Sequence, residues 1–110
     1  MQLSLLTIGK GRIKYLNDGV ADYVKRISRY ATLTQFEIKE ERASRGLIPR
    51  EIAEKEGERI LRTIPDNSYL VVLDDKGAPC SSKALASWLS DLGLRGESRI
   101  CFVIGGAFGL

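Results

Sequence analysis

The 110-residue sequence contains no histidine. That absence excludes Ser-His-Asp triads, Cys-His dyads and His-ligated zinc. Cysteine is nearly as scarce, with Cys80 in a turn-like stretch and Cys101 far away in an apolar run. Two such cysteines read as free thiols in a reducing cytoplasm rather than as a disulfide or metal pair. No apolar run approaches the roughly 20 residues of a membrane span. The start, Met1-Gln2-Leu3-Ser4-Leu5-Leu6, lacks the basic residues and small-residue cleavage site of a signal peptide. A cytoplasmic protein without membrane or metal is therefore expected. Internal repeats and low-complexity segments are missing as well. What remains is an ordinary globular composition, 44% apolar and 28% charged, expected to form a single domain over residues 1–110.

Charge is present but unevenly spread. Residues 1–50 carry ten Lys/Arg against five Asp/Glu, a balance of +5, whereas residues 51–110 carry seven against nine, a balance of −2. A basic first half suggests a surface that faces a polyanion; a set of solvated helix faces would account for the same charges.

The chain is organised around its last stretch, Arg99 to Leu110. Ile100 to Ile104 are continuously apolar and rich in β-branched and aromatic types, which suits a strand buried on both faces of a parallel sheet. Gly105-Gly106-x-x-Gly109 follows at once. Adjacent glycines at a strand's C-terminal end allow a turn with positive φ and let a ligand approach the main chain. Ligands bind at that edge of open α/β sheets. A plain left-handed turn into a further helix is the structural alternative.

Leu3 to Ile8 reads as a first strand ending at Gly9-Lys10-Gly11. Lys14 stands where a dinucleotide fingerprint needs its third glycine, so these glycines read as a loop carrying Lys10, Arg12 and Lys14. A helix from about Leu16 to Arg29 follows, capped by Asn17 or Asp18. Leu16, Val20, Tyr23, Val24, Ile27 and Tyr30 are spaced to form one buried stripe. Lys25, Arg26 and Arg29 fall in its last turns, where the helix dipole favours cations, and they also extend the basic surface. Thr32 to Ile38 alternates as a second strand, and 39–50 reads as a polar loop holding Lys39, Arg42, Arg45 and Arg50. Pro49 opens a helix whose expected inner face is Ala53, Gly57, Ile60, Leu61 and Ile64, with Gly57 allowing close packing on a neighbour. Tyr69 to Leu73 is apolar throughout and reads as a strand central in the sheet. Asp74-Asp75-Lys76-Gly77 ends it, and the pair of aspartates reads as a turn. Ser81 or Ser82 then caps a helix with Leu85, Trp88, Leu89 and Leu92 inward. Strands alternating with helices throughout predict an α/β fold with a parallel sheet.

Several of these segments carry a resemblance. Ile8-Gly9-Lys10, Tyr23-Val24-Lys25-Arg26, the run from Lys55 to Leu61, Leu73-Asp74 with Gly77 and Ser81-Ser82, and Ile104-Gly105-Gly106-x-x-Gly109 occur together in this order. In combination they resemble the SPOUT-class methyltransferases that methylate N3 of a pseudouridine in 23S ribosomal RNA, over essentially the whole chain. The resemblance implies an α/β-knot fold, S-adenosylmethionine as cofactor, ribosomal RNA in the ribosome as partner, and a homodimer. It carries over Leu73, Gly105 and Gly106 as cofactor-binding residues. Lys10, Arg12, Lys25, Arg26 and Arg29 are the expected RNA-binding residues; no general base is assigned. The family's third cofactor segment, its trefoil knot and its last helix lie beyond the equivalent of Leu110, so a form truncated before the knot is expected. In such a form, apolar strands such as Ile100–Ile104 are expected to be poorly covered. In a chain with the missing C-terminal segment restored, a valine at Gly106 is expected to block the cofactor while shifting the melting temperature little; the 110-residue form is expected to bind the cofactor weakly or not at all. A non-catalytic RNA- or ribosome-binding domain, or a nucleotide-binding α/β protein, would use the same features differently.

Overall fold

A computed structural model of the chain describes residues 1–9, 13–41 and 46–106. Strands and helices alternate strictly: β1 (Gln2–Ile8), α1 (Lys14–Ile27), β2 (Thr32–Ile38), α2 (Pro49–Thr63), β3 (Tyr69–Leu73), α3 (Ser82–Leu94) and β4 (Arg99–Ile104). The four strands form one sheet in the order β2-β1-β4-β3, every pair parallel. The α/β parallel architecture expected from the alternation is the one that forms.

The core lies between this sheet and α2. Leu6 and Val103 are register partners in the two inner strands. They pack with Ile38, Cys101 and Ile60, and Ile8, Phe36 and Ile64 close around them. Ile100, Cys101 and Val103 are at most 1% exposed, so the middle of β4 is covered, contrary to the expectation for the whole strand, while Ile104 at its C-terminal end is open. β1 and β3 flank the strand on both sides. On the opposite face of the sheet, Tyr69 meets Trp88 of α3 edge-on, with ring centroids 5.9 Å apart.

Several local readings are corrected. β3 is an edge strand rather than a central one. Its Leu70, Val72 and Leu73 are accordingly exposed despite an apolar sequence. α1 begins at Lys14, so Asn17 lies inside the helix with its N–H donating to the Ile13 carbonyl, and Ile13 at the N-cap supplies no side-chain cap. None of the α1 stripe is fully buried: Val24 is half-buried, and Leu16, Val20, Tyr23, Ile27 and Tyr30 face outward. In α2 the expected inner face is right for Ile60, which is buried, and Ile64, which packs on the core, but the other buried residues are Ile52 and Glu56. Ala53 and Gly57 are only half-buried and Leu61 is exposed, and they line an open groove of about 800 Å³ with Leu70 and Val72 of β3. A Cβ on Gly57 would meet no atom within 4 Å, so close packing does not explain that glycine.

The start and end of α3 follow from local chemistry. The Ser81 hydroxyl accepts a hydrogen bond from the Ala84 N–H at 3.0 Å, the N-cap arrangement. At the other end Gly96 takes φ +88°, and the Glu97 and Gly96 N–H groups donate to Leu92 and Gly93 carbonyls, closing a Schellman turn. Ser81→Ala should therefore destabilise the fold by about 1 kcal/mol. A thermal melt should show this as a fall in midpoint, while a variant that melts with the wild type would mean the cap contributes nothing.

Candidate functional site

The parallel register brings the proposed cofactor residues to one edge. Thr7, Ile104 and Leu73 are Cα partners across β1, β4 and β3, so their side chains stand in a row on one face at the C-terminal ends of the strands. Leu73 is 46% and Ile104 40% exposed, an unusual openness for apolar residues in a sheet. Gly105 and Gly106 continue directly from Ile104. Leu73, Gly105 and Gly106 are thus neighbours in space although 32 positions separate the first two in sequence (105 − 73). Beside them a groove of about 550 Å³ runs between Ile104, Ile8 and Gly9 and the α1 residues Asn17, Val20 and Ala21. Gly109 lies outside the described residues.

The glycines do not work as the sequence reading expects. Among the described residues the left-handed glycines are Gly9, Gly46 and Gly96, and neither Gly105 nor Gly106 is one of them. At Gly106 the constraint is space, not a positive φ. A Cβ there would stand 2.6 Å from Glu56 Oε1 and 3.1 Å from Ile8 Cγ2.

Glu56 is the residue that sequence reasoning misses. It is 3% exposed, the buried charged side chain of α2. Its Oε2 accepts the Glu41 N–H at 2.9 Å, whereas Oε1 has no hydrogen-bond partner among the described residues. Arg59, three residues further along α2, holds the same segment by donating to the Lys39 carbonyl at 2.8 Å and pairing with the Glu41 carboxylate. The Glu40 side chain lies 3.4 Å from where a Cβ on Gly9 would be. The signal available in the sequence was the Ile52-Glu56-Ile60 spacing, which puts a glutamate in the middle of an apolar stripe.

Asp74 and Asp75 form the turn expected of them. Asp74 Oδ1 accepts the Lys76 N–H, and the Gly77 N–H donates to the Asp74 carbonyl. Hydrogen bonds from the Asp75 side chain and the Lys76 backbone lower the Asp74 carboxyl pKa, which makes it a poorer proton acceptor. Cys80 and Cys101 are both free. Burial pushes the Cys101 thiol up, so it stays protonated and unreactive.

Of the expected RNA-binding residues, Lys25 and Arg26 are exposed in the last turn of α1 and Arg29 just beyond it. Arg26 is already engaged, 2.9 Å from Asp22 and 5.6 Å above the Tyr23 ring. Lys10 and Arg12 lie outside the described residues, as do Arg42 and Arg45 of the polar loop.

Comparison with known proteins decides the family. The family model described as "Predicted SPOUT methyltransferase" matches residues 1–110. The chain belongs to the SPOUT methyltransferase family. It is 45% identical to ribosomal RNA large subunit methyltransferase H of Clostridium acetobutylicum. It is 40% identical to the protein of that name in Halothermothrix orenii and 43% to that in Bifidobacterium adolescentis. Each alignment takes in the whole of this chain and 71% of the relative. Membership of a SPOUT methyltransferase family implies a methyl donor.

Proposed function

We propose that the chain is an S-adenosylmethionine-dependent methyltransferase acting on N3 of a pseudouridine in 23S ribosomal RNA, in the ribosome and as a homodimer. The observation that carries the reading is the meeting of Leu73, Ile104 and Gly105 at one sheet edge. The relatives' names supply the RNA class. The residues fit the cofactor: Leu73 and Ile104 give an apolar shelf for an adenine ring, and Gly105-Gly106 leaves main-chain groups open to a polar ligand. When bound, S-adenosylmethionine supplies a methyl group already made electrophilic by its sulfonium. The chain's own task is then to hold the uracil nitrogen against that methyl in line and to exclude water. Lys25, Arg26 and Arg29 would hold phosphates of the RNA, fixing its position without reading its sequence. The N3–H must also lose its proton, and Asp74 is poorly suited to take it, being a turn aspartate with a lowered pKa.

Calorimetry with S-adenosylmethionine, ATP and NAD tests the reading, with the C. acetobutylicum relative as control. Heat from S-adenosylmethionine alone is the expected result, weaker than for the relative. Binding of ATP or NAD in its place would make this a nucleotide-binding domain. Ribosome binding without any S-adenosylmethionine binding would make it a non-catalytic RNA-binding domain.

A further inference from the structure

We infer that Glu56 is a positioning residue whose carboxylate links the glycine turn after β4 to residues 39–41, the segment that leads into the basic loop. The two oxygens point to two different loops. Oε2 holds the Glu41 N–H at 2.9 Å, and Oε1 lies where a Gly106 Cβ would come within 2.6 Å of it. Both loops leave the same C-terminal edge of the sheet, one from β2 and one from β4. Ile8, at the end of β1, packs against the same point from the inner strand. A glutamate is a costly way to fill this space. Its carboxylate is 3% exposed with one oxygen lacking a donor among the described residues, where a leucine or methionine would fill the volume without desolvating a charge. What the carboxylate does that an apolar side chain would not is accept from the 39–41 backbone while standing against the turn.

Arg59 makes the linkage stiff. Its guanidinium joins the Lys39 carbonyl and the Glu41 carboxylate to the same helix face, so 39–41 cannot swing away from α2 while Glu56 moves. A displacement at Gly106 therefore has a short route, through the Glu56 carboxylate, to the Glu41 amide. The consequence for catalysis rests on the proposed function: the glycine segment offered to the methyl donor and residues 39–41 would respond to one another.

The linkage is testable without any ligand, by amide hydrogen exchange in the 110-residue chain. Gly106→Ala should push the carboxylate aside and speed exchange at the Glu41 amide at least tenfold, while amides of Leu6 and Val103 in the core change less than twofold. In a Glu56→Ala background, where the Glu41 N–H has already lost its acceptor, adding Gly106→Ala should change Glu41 exchange less than twofold. An unchanged Glu41 amide in Gly106→Ala, or the same acceleration with and without Glu56, overturns the inference. Should Gly106→Ala fail to fold, melting the double variant decides: a folded double variant supports contact through Glu56, and an unfolded one assigns the clash to Ile8 and overturns it. A chain that does not take S-adenosylmethionine would count against the proposed function alone, since none of these readings uses the cofactor.

Discussion

Replacing Gly106 by valine is expected to cost both stability and cofactor binding. The branched side chain has to enter a space in which a single Cβ already stands 2.6 Å from Glu56 Oε1 and 3.1 Å from Ile8 Cγ2. Overpacking of this kind costs about 1–3 kcal/mol. For a domain of this size each kcal/mol lowers the melting temperature by roughly 4–8 °C. The sequence alone argued for a small stability change, on the idea that the glycine serves a ligand above it. In the structure the space behind the glycine is taken, by the end of β1 and by a side chain of α2. The two losses are separable by temperature. In a chain extended by the family's C-terminal segment, the variant should still be folded by circular dichroism at 10 °C and should show no heat with S-adenosylmethionine. A melting temperature within 2 °C of wild type would show that Glu56 and Ile8 yield freely, and retained binding would remove Gly106 from the cofactor site.

What could be read from the sequence, and what could not, divides along a physical line. Strands β1, β2 and β4 were legible because burial on both faces or regular alternation imposes a pattern on each strand separately. The place of β3 was not, because an all-apolar strand at an edge and one at the centre read the same. Only the pairing of β4 with β1 and β3 decides between them. The α1 stripe was misread for a related reason. Spacing of three and four shows that Leu16, Val20, Tyr23 and Ile27 share a face, and it says nothing of whether the rest of the chain covers that face. In α2 the expected face of Ala53, Gly57, Ile60, Leu61 and Ile64 was right for Ile60 and Ile64 and missed Ile52 and Glu56. Hydrophobicity passes over Glu56 because it is charged. Its carboxylate is buried all the same, since it accepts the Glu41 N–H while Ile52 and Ile60 fill the core. That Leu73 and Ile104 end side by side was legible in part, because each closes a strand of one parallel sheet and parallel strands share their C-terminal edge.

The basic end of α1 offers the other large effect. If Lys25, Arg26 and Arg29 meet RNA phosphates, replacing all three by alanine should weaken binding to ribosomal subunits at low salt. It should also lower the slope of log affinity against log salt by about 2, near 0.7 for each lost contact to single-stranded RNA. The three should not contribute equally. Arg26 must give up Asp22, which it meets at 2.9 Å, before it can take a phosphate, and both side chains are more than half exposed. An exposed pair of this kind is worth less than about 1 kcal/mol and is screened by salt, so the exchange is feasible but reduces the net gain. Lys25→Ala and Arg29→Ala should therefore each cost more affinity than Arg26→Ala. Asp22→Ala should have the opposite sign: with the competing carboxylate gone, Arg26 is free and one negative charge no longer repels the RNA, so affinity at low salt should rise. Filter binding at a series of salt concentrations measures all four. A triple variant with the wild-type slope would take Lys25, Arg26 and Arg29 out of the RNA interface.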